Sequence, residues 1–159
     1  MHFGIRKIWN IWWEIINISY ILELAMVKYI LQKGESVSYD YLVDEELQLN
    51  FGKTFDDFTL LHYDDQYARD VAFERRPIQG ALVGCILVKS IVKAFGDSTI
   101  LKTHNLTFHK PIYPGSTITT RLSVDNNIRN KLVNVLTEVW IGDTLHYTGN
   151  TKIRVFEEI

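Results

Sequence analysis

The chain has 159 residues, 47% of them hydrophobic and 13% aromatic, with 17 basic and 19 acidic side chains and a formal net charge of −2. That length gives one domain large enough to bury a substantial core, and the composition leaves no stretch that reads as disordered. A near-neutral balance without a basic run excludes an electrostatic footprint for nucleic acid. The single cysteine, Cys85, excludes an intrachain disulfide and a metal site of several cysteines.

Residues 8–31 are strongly apolar, but Glu14, Glu23 and Lys28 interrupt the run, which disfavours a spanning helix. Arg6 and Lys7 precede the apolar stretch as in a signal peptide, yet no small-x-small cleavage site follows. Three readings stay open for residues 1–29: an amphipathic helix covering the domain or a partner, a membrane-surface anchor, or leader sequence upstream of a start at Met26. The leader is the reading favoured here, and the domain proper is expected over 30–159.

Gly34 to Val43 alternates as a first strand, and Asp44-Glu45-Glu46 opens a short helix to about Lys53 with acids at its N-terminus. Residues 57–63 read as loop, 64–70 as a helical turn or two from Asp64, and 71–79 as a second loop closed by Pro77. Gly80 to Phe95 is apolar nearly all round until Lys89, Ser90 and Lys93, as in a helix buried on most faces, with Gly96 as its stop. Within it Cys85 is expected to be a small buried hydrophobe. Strand-like runs follow at about 99–110, 116–126, 131–141 and 144–156, separated by Tyr113-Pro114-Gly115, Asp125-Asn126-Asn127 and Ile141-Gly142-Asp143. Spacing this short predicts antiparallel meander-type pairing, and the whole is an α+β arrangement.

The chemistry concentrates in FDDFTLLHYDDQYA at 55–68 and AFERRPIQGALVGC at 72–85, where Asp57 stands five residues before His62 and Gly80 opens the apolar helix. Together these segments resemble the MaoC-like family of (R)-specific enoyl-thioester hydratases and dehydratases. Its motif runs Asp-x-Asn-Pro-x-His-x-Asp, followed by Ala-Phe-x-x-Pro-Ile-x-His-Gly at the start of a central helix. Asp57, His62, Asp64, Tyr67, Ala68, Phe73 and Gly80 fall where that pattern wants them, and the resemblance covers about residues 30–156. It implies a hot-dog fold, an antiparallel sheet wrapped around the buried helix, and a homodimer. Thr59 and Leu60 depart from the usual Asn and Pro, and Gln79 replaces the usual histidine. Gln79 keeps a donor and an acceptor but does not titrate near neutral pH.

Hydration of an enoyl thioester needs a base for water, an acid for the α-carbon and a donor for the thioester oxygen. The resemblance assigns the first two to His62 and Asp57 as catalytic residues. The third falls to the backbone N–H of Gly80, with Gln79 beside it in thioester binding. The expected activity is reversible hydration of trans-2-enoyl thioesters to (R)-3-hydroxyacyl thioesters, without a metal or redox cofactor, in the cytoplasm. The acyl group would be carried on coenzyme A or on the phosphopantetheine arm of an acyl carrier protein; Arg75 and Arg76 read equally as contacts to its phosphates or as a solvated charge pair. A hot-dog thioesterase and a non-catalytic acyl-thioester-binding dimer are the alternatives. Taken without the resemblance, Asp57 is a turn acid and His62 a packed loop histidine. His104, His109 and His146 read as structural or solvent-facing strand residues. No zinc-ligand spacing, Gly-x-Ser-x-Gly motif or glycine-rich phosphate loop occurs.

Overall fold

The computed structural model describes residues 31, 33–125 and 131–156, and the expectations for residues 1–29 lie outside these. Strand β1 (Ser36–Val43) presents Tyr39, Tyr41 and Val43 inward and Ser38, Asp40 and Leu42 outward, the two-residue period of a half-buried strand. Asp44 ends it and caps helix α1 (Glu45–Phe55), its carboxylate accepting the Leu47 N–H at 2.8 Å. Two short helices follow, α2 (Leu60–Tyr63) and α3 (Asp65–Asp70), the latter capped by Asp64, which accepts from the N–H groups of Gln66 and Tyr67. His62 therefore sits on a helical turn rather than in the loop expected over 57–63. Four residues are too short a span for a period to show.

Helix α4 (Gly80–Phe95) runs across one face of a five-stranded antiparallel sheet made of β1, β2 (Thr99–Phe108), β3 (Ser116–Val124), β4 (Leu132–Ile141) and β5 (Thr144–Val155). Its Leu82, Val83, Leu87 and Ile91 belong to one core cluster with Ile118, Leu122, Val135, Val139 and Ile153 from the sheet. Ser90, the buried polar residue of that face, is satisfied by the Ile86 carbonyl and the Thr120 hydroxyl, each at 2.9 Å.

The strand order is β1-β3-β4-β5-β2. Only β3, β4 and β5 form the expected meander. β2 pairs with β5 instead of its sequence neighbour β3, with Phe108 opposite Tyr147, so it ends at Phe108 on the far edge and residues 109–115 return the chain to β3. The crossing of α4 explains this, because the helix carries the chain over the sheet from the β1 side. β1 and β3 then pair across the return, from Ser36 opposite Ser123 to Val43 opposite Ser116. Gly115, at φ +87°, makes the last turn, donating its N–H to the Val43 carbonyl at 2.8 Å. The start of α4, the end of β2 and the loop at 109–115 thus lie at one end of the sheet, beside α1 to α3.

Cys85 is exposed, not buried as its apolar neighbours predict. It lies on the face of α4 turned towards the unpaired edge of β2, where no further element of the described chain covers it.

Candidate active site

Gln48 organises the region. Buried on α1 at 2% exposure, it donates from Nε2 to the carbonyls of His62, at 3.0 Å, and Pro77, at 3.2 Å. One amide thereby ties α2 to the loop before α4. The Gln48 carbonyl in turn accepts the Tyr63 hydroxyl at 2.9 Å. One turn further along α1, Gly52 faces the same hydroxyl, and a Cβ there would collide with it and stand 3.0 Å from the Asp57 carbonyl. Only glycine lets the loop bearing Asp57 and the ring of Tyr63 lie so close to the helix. Gln79, 1% exposed, closes the network by donating from Nε2 to the Tyr63 oxygen at 3.0 Å and to the Asp57 carbonyl at 3.4 Å. Its Oε1 has no partner among the described residues. Gln79, the residue directly before the helix, is thus tied to Asp57 directly and to the residue after His62 through Tyr63.

The half-buried His62 ring places Nδ1 3.0 Å from the Pro77 carbonyl. A carbonyl only accepts, so Nδ1 carries a proton in this contact and Nε2 is the nitrogen turned to other partners. Asp57 accepts on Oδ1 from the Thr59 hydroxyl at 2.8 Å and from the Thr59 N–H at 3.4 Å, which leaves Oδ2 for other work. Thr59 and Leu60 now have physical roles. Thr59 orients the Asp57 carboxylate, and Leu60 occupies the first helical position of α2, the position that also suits proline.

At the start of α4 the chain is extended at Gln79, with φ −63° and ψ 131°, and no side chain caps the helix. The Gln79 carbonyl accepts from Leu82 and Val83, whereas the amides of Gly80 and Ala81 have no acceptor within the helix. Gly80 also permits a close approach. A Cβ there would lie 2.9 Å from Cζ of Phe108.

A profile of the MaoC like domain matches residues 31–147. The chain belongs to the MaoC-like dehydratase family. Among solved structures it is similar to the unliganded R-hydratase PhaJ1 from Pseudomonas aeruginosa, at 25% identity and a TM-score of 0.73 over 80% of this chain and 84% of that one. It is also similar to the (R)-hydratase from A. caviae involved in PHA biosynthesis, at 22% identity and a TM-score of 0.72 over 79% and 98% of the two chains. The 3R-hydroxyacyl-ACP dehydratase complex HadBC from Mycobacterium tuberculosis matches at 16% identity and a TM-score of 0.64, over 76% and 96%. A sequence search among curated proteins finds no match. The hot-dog fold expected from the motifs is the one these structures share with the chain.

A groove of about 700 Å³ lies between α4 and β2, reaching Gly80 at the helix start but lined by neither Asp57 nor His62. Gly80, Ala81, Gly84, Cys85 and Val88 line it from one helix face, and His104, Leu106 and Phe108 from alternate positions of the strand. Sequence reasoning missed Phe108, although a large apolar side chain two residues past Leu106 on the same strand face is the available signal.

The remaining candidates are differently placed. Arg76 pairs with Glu45 at 2.6 Å and donates its N–H to Asp65, while Arg75 lies over the Tyr113 ring, 4.9 Å from its centroid. His104 shares Nδ1 with the Thr151 hydroxyl at 2.7 Å. Burial holds the His104 pKa below its ordinary value, and the Gly84 backbone pulls the other way without forming a well-aligned hydrogen bond. His109 lies just past β2, with Nε2 2.8 Å from the Thr148 hydroxyl, and His146 donates from Nδ1 to the Pro111 carbonyl at 2.9 Å. No group of three potential metal ligands occurs among the described residues, and no described helix is long and apolar enough to cross a membrane.

Proposed function

We propose that the protein reversibly hydrates trans-2-enoyl thioesters to (R)-3-hydroxyacyl thioesters, with Asp57 and His62 as its catalytic pair. The observation that carries this reading is the hydrogen bond of His62 Nδ1 to the Pro77 carbonyl, which leaves Nε2 as the nitrogen available to act as base. Water bound between His62 and Asp57 loses a proton to Nε2 as its oxygen bonds to C3. The C2–C3 π pair shifts so that negative charge develops on the thioester oxygen, which the Gly80 N–H and the positive end of α4 stabilise. The proton taken by His62 passes through solvent to the Asp57 carboxylate, which delivers it to C2 on the same face, so both groups end as they began.

Gln79 supports this reading as a positioning residue, because it joins the Asp57 loop to the helix start without titrating. The thioester carrier is coenzyme A or an acyl carrier protein. Arg75 is the better placed of the two arginines to meet its phosphates, since Arg76 is already paired with Glu45. A homodimer formed on the free edge of β2, beside the exposed Ile100, Leu101 and Phe108, completes the proposal.

The test is loss of enoyl absorbance with crotonyl-coenzyme A, longer homologues and the same acyl groups on a carrier protein. Release of free thiol with the enoyl absorbance intact would point to a thioesterase instead. Tight ligand binding without either reaction would leave a binding domain. Light scattering tests the assembly separately, and a monomer that retains full activity would remove the dimer from the reading.

A further inference from the structure

Helix α1 buries its glutamine and exposes the leucines on either side of it. Gln48 is 2% exposed, against 36% for Leu47 and 40% for Leu49, an inversion that costs free energy unless the buried amide is bonded. The two hydrogens of its Nε2 serve two carbonyls, that of His62 at 3.0 Å and that of Pro77 at 3.2 Å. The Pro77 carbonyl also accepts from His62 Nδ1, at 3.0 Å. One nitrogen thus fixes both the backbone of His62 and the acceptor of its ring.

The peptide between Pro77 and Ile78 is held at its other edge as well. A peptide unit is planar, and the Ile78 N–H of that plane donates to the Ile112 carbonyl at 2.8 Å. The imidazole therefore bonds to a plane that Gln48 secures on one side and residue 112 on the other. α2 spans only four residues, too few to hold a side chain in place by helical bonds alone. We propose that Gln48 is a positioning residue that acts through His62, keeping Nδ1 on the Pro77 carbonyl and Nε2 free to serve as base. Its consequence for rate rests on the hydratase reading, whereas its hold on the ring does not. The Tyr63 hydroxyl donates to the backbone carbonyl of Gln48 at 2.9 Å, a group that any residue at 48 supplies, so loss of the amide leaves α1 joined to α2.

The experiment compares wild type with Gln48→Met, which keeps the bulk of the side chain and removes its donors. With crotonyl-coenzyme A, kcat is expected to fall at least about tenfold while KM stays within about twofold, because a small misplacement of a reacting group costs that much or more. Nitrogen-15 NMR spectra of the histidine side chains, with His62 identified by its absence in His62→Gln, report the ring directly. At about pH 9, where histidines are neutral, wild type should show His62 as the single Nδ1–H tautomer and Gln48→Met an average of the two tautomers. An unchanged kcat in the folded variant overturns the proposal. So does a lowered kcat with the His62 tautomer unchanged, which would make Gln48 a support of the fold alone. Should Gln48→Met not fold, Gln48→Asn, which keeps an amide but draws it back by one carbon, is read by the same two measurements. A wild-type His62 that already averages its tautomers overturns the proposal without any variant. If wild type hydrates no enoyl thioester, the hydratase reading fails, and the tautomer comparison alone decides the role of Gln48.

Discussion

The segment from Asp44 to Gln79 and the sheet with α4 are built on different principles. The first is held by polar side chains meeting backbone carbonyls, with the amides of Gln48 and Gln79 and the Tyr63 hydroxyl as its joints. The second is held by apolar burial around fully enclosed residues such as Leu87, Ile118 and Ile153. Directional bonds of about 0.5–1.5 kcal/mol each place catalytic atoms accurately but contribute modestly to stability, whereas a buried Leu or Ile contributes stability without specifying any one atom's position. On the proposed function, a division of labour follows: the polar segment would set chemistry and the apolar one persistence.

The sharpest way to break that division is at the proposed pair, Asp57 and His62. Asp57→Asn and His62→Gln are each expected to lower kcat by at least ~10²-fold while leaving the melting temperature nearly unchanged, checked by enoyl absorbance and thermal melts. Because both groups act on one water, the double variant should be little worse than the poorer single one. In the apolar half the signs reverse. Leu87→Ala should cost ~2–5 kcal/mol in chemical denaturation and leave kcat per folded molecule close to wild type.

Alkaline pH sharpens the comparison, since burial pushes the Tyr147 phenol up to about 12. The fold holds the neutral phenol while the unfolded chain ionises from about pH 10, so folding binds more protons above that point. Stability contributed by this group is complete below pH 10 and is lost as pH rises to about 12, on the order of 2–3 kcal/mol. Denaturation of wild type and Tyr147→Phe between pH 9 and 12 should show a shallower fall in the variant. The smallest effect is expected at Gln79. Replacement by His keeps a donor for the Tyr63 oxygen, so activity should stay within about threefold of wild type or rise. A complete loss would mean that the unpartnered Oε1 is needed by the substrate.

Legibility in the sequence followed the same line. The strands and α4 were readable because burial imposes periods of two and 3.6 on the chain, and the family motif located Asp57, His62 and Gly80. The edge position of β2 was not, because pairing between Phe108 and Tyr147 rather than with β3 is decided across the sheet. Nor were the roles of Gln48 and Tyr63, which meet across 15 residues through backbone groups that every residue carries. Gly52 inside α1 was the one available sign, a glycine where a helix has no local use for it. Cys85 misled for the opposite reason, since an apolar neighbourhood along the chain does not reveal which helix face is left uncovered. The turn at 125–127 is described only at Asp125.

The return loop after β2 bears on how the protein becomes active. Its Ile112 carbonyl accepts the Ile78 N–H at 2.8 Å, two residues before the helix start. Every proposed catalytic side chain precedes residue 96, yet the backbone beside them is braced by a segment that comes later and is itself anchored between β2 and β3. A nascent chain ending at Phe95 would carry the full set of reacting groups and none of the strands β2 to β5. The brace beside the proposed pair therefore forms only with the long-range closure of β1 onto β3, and such closures are slow compared with local helix formation.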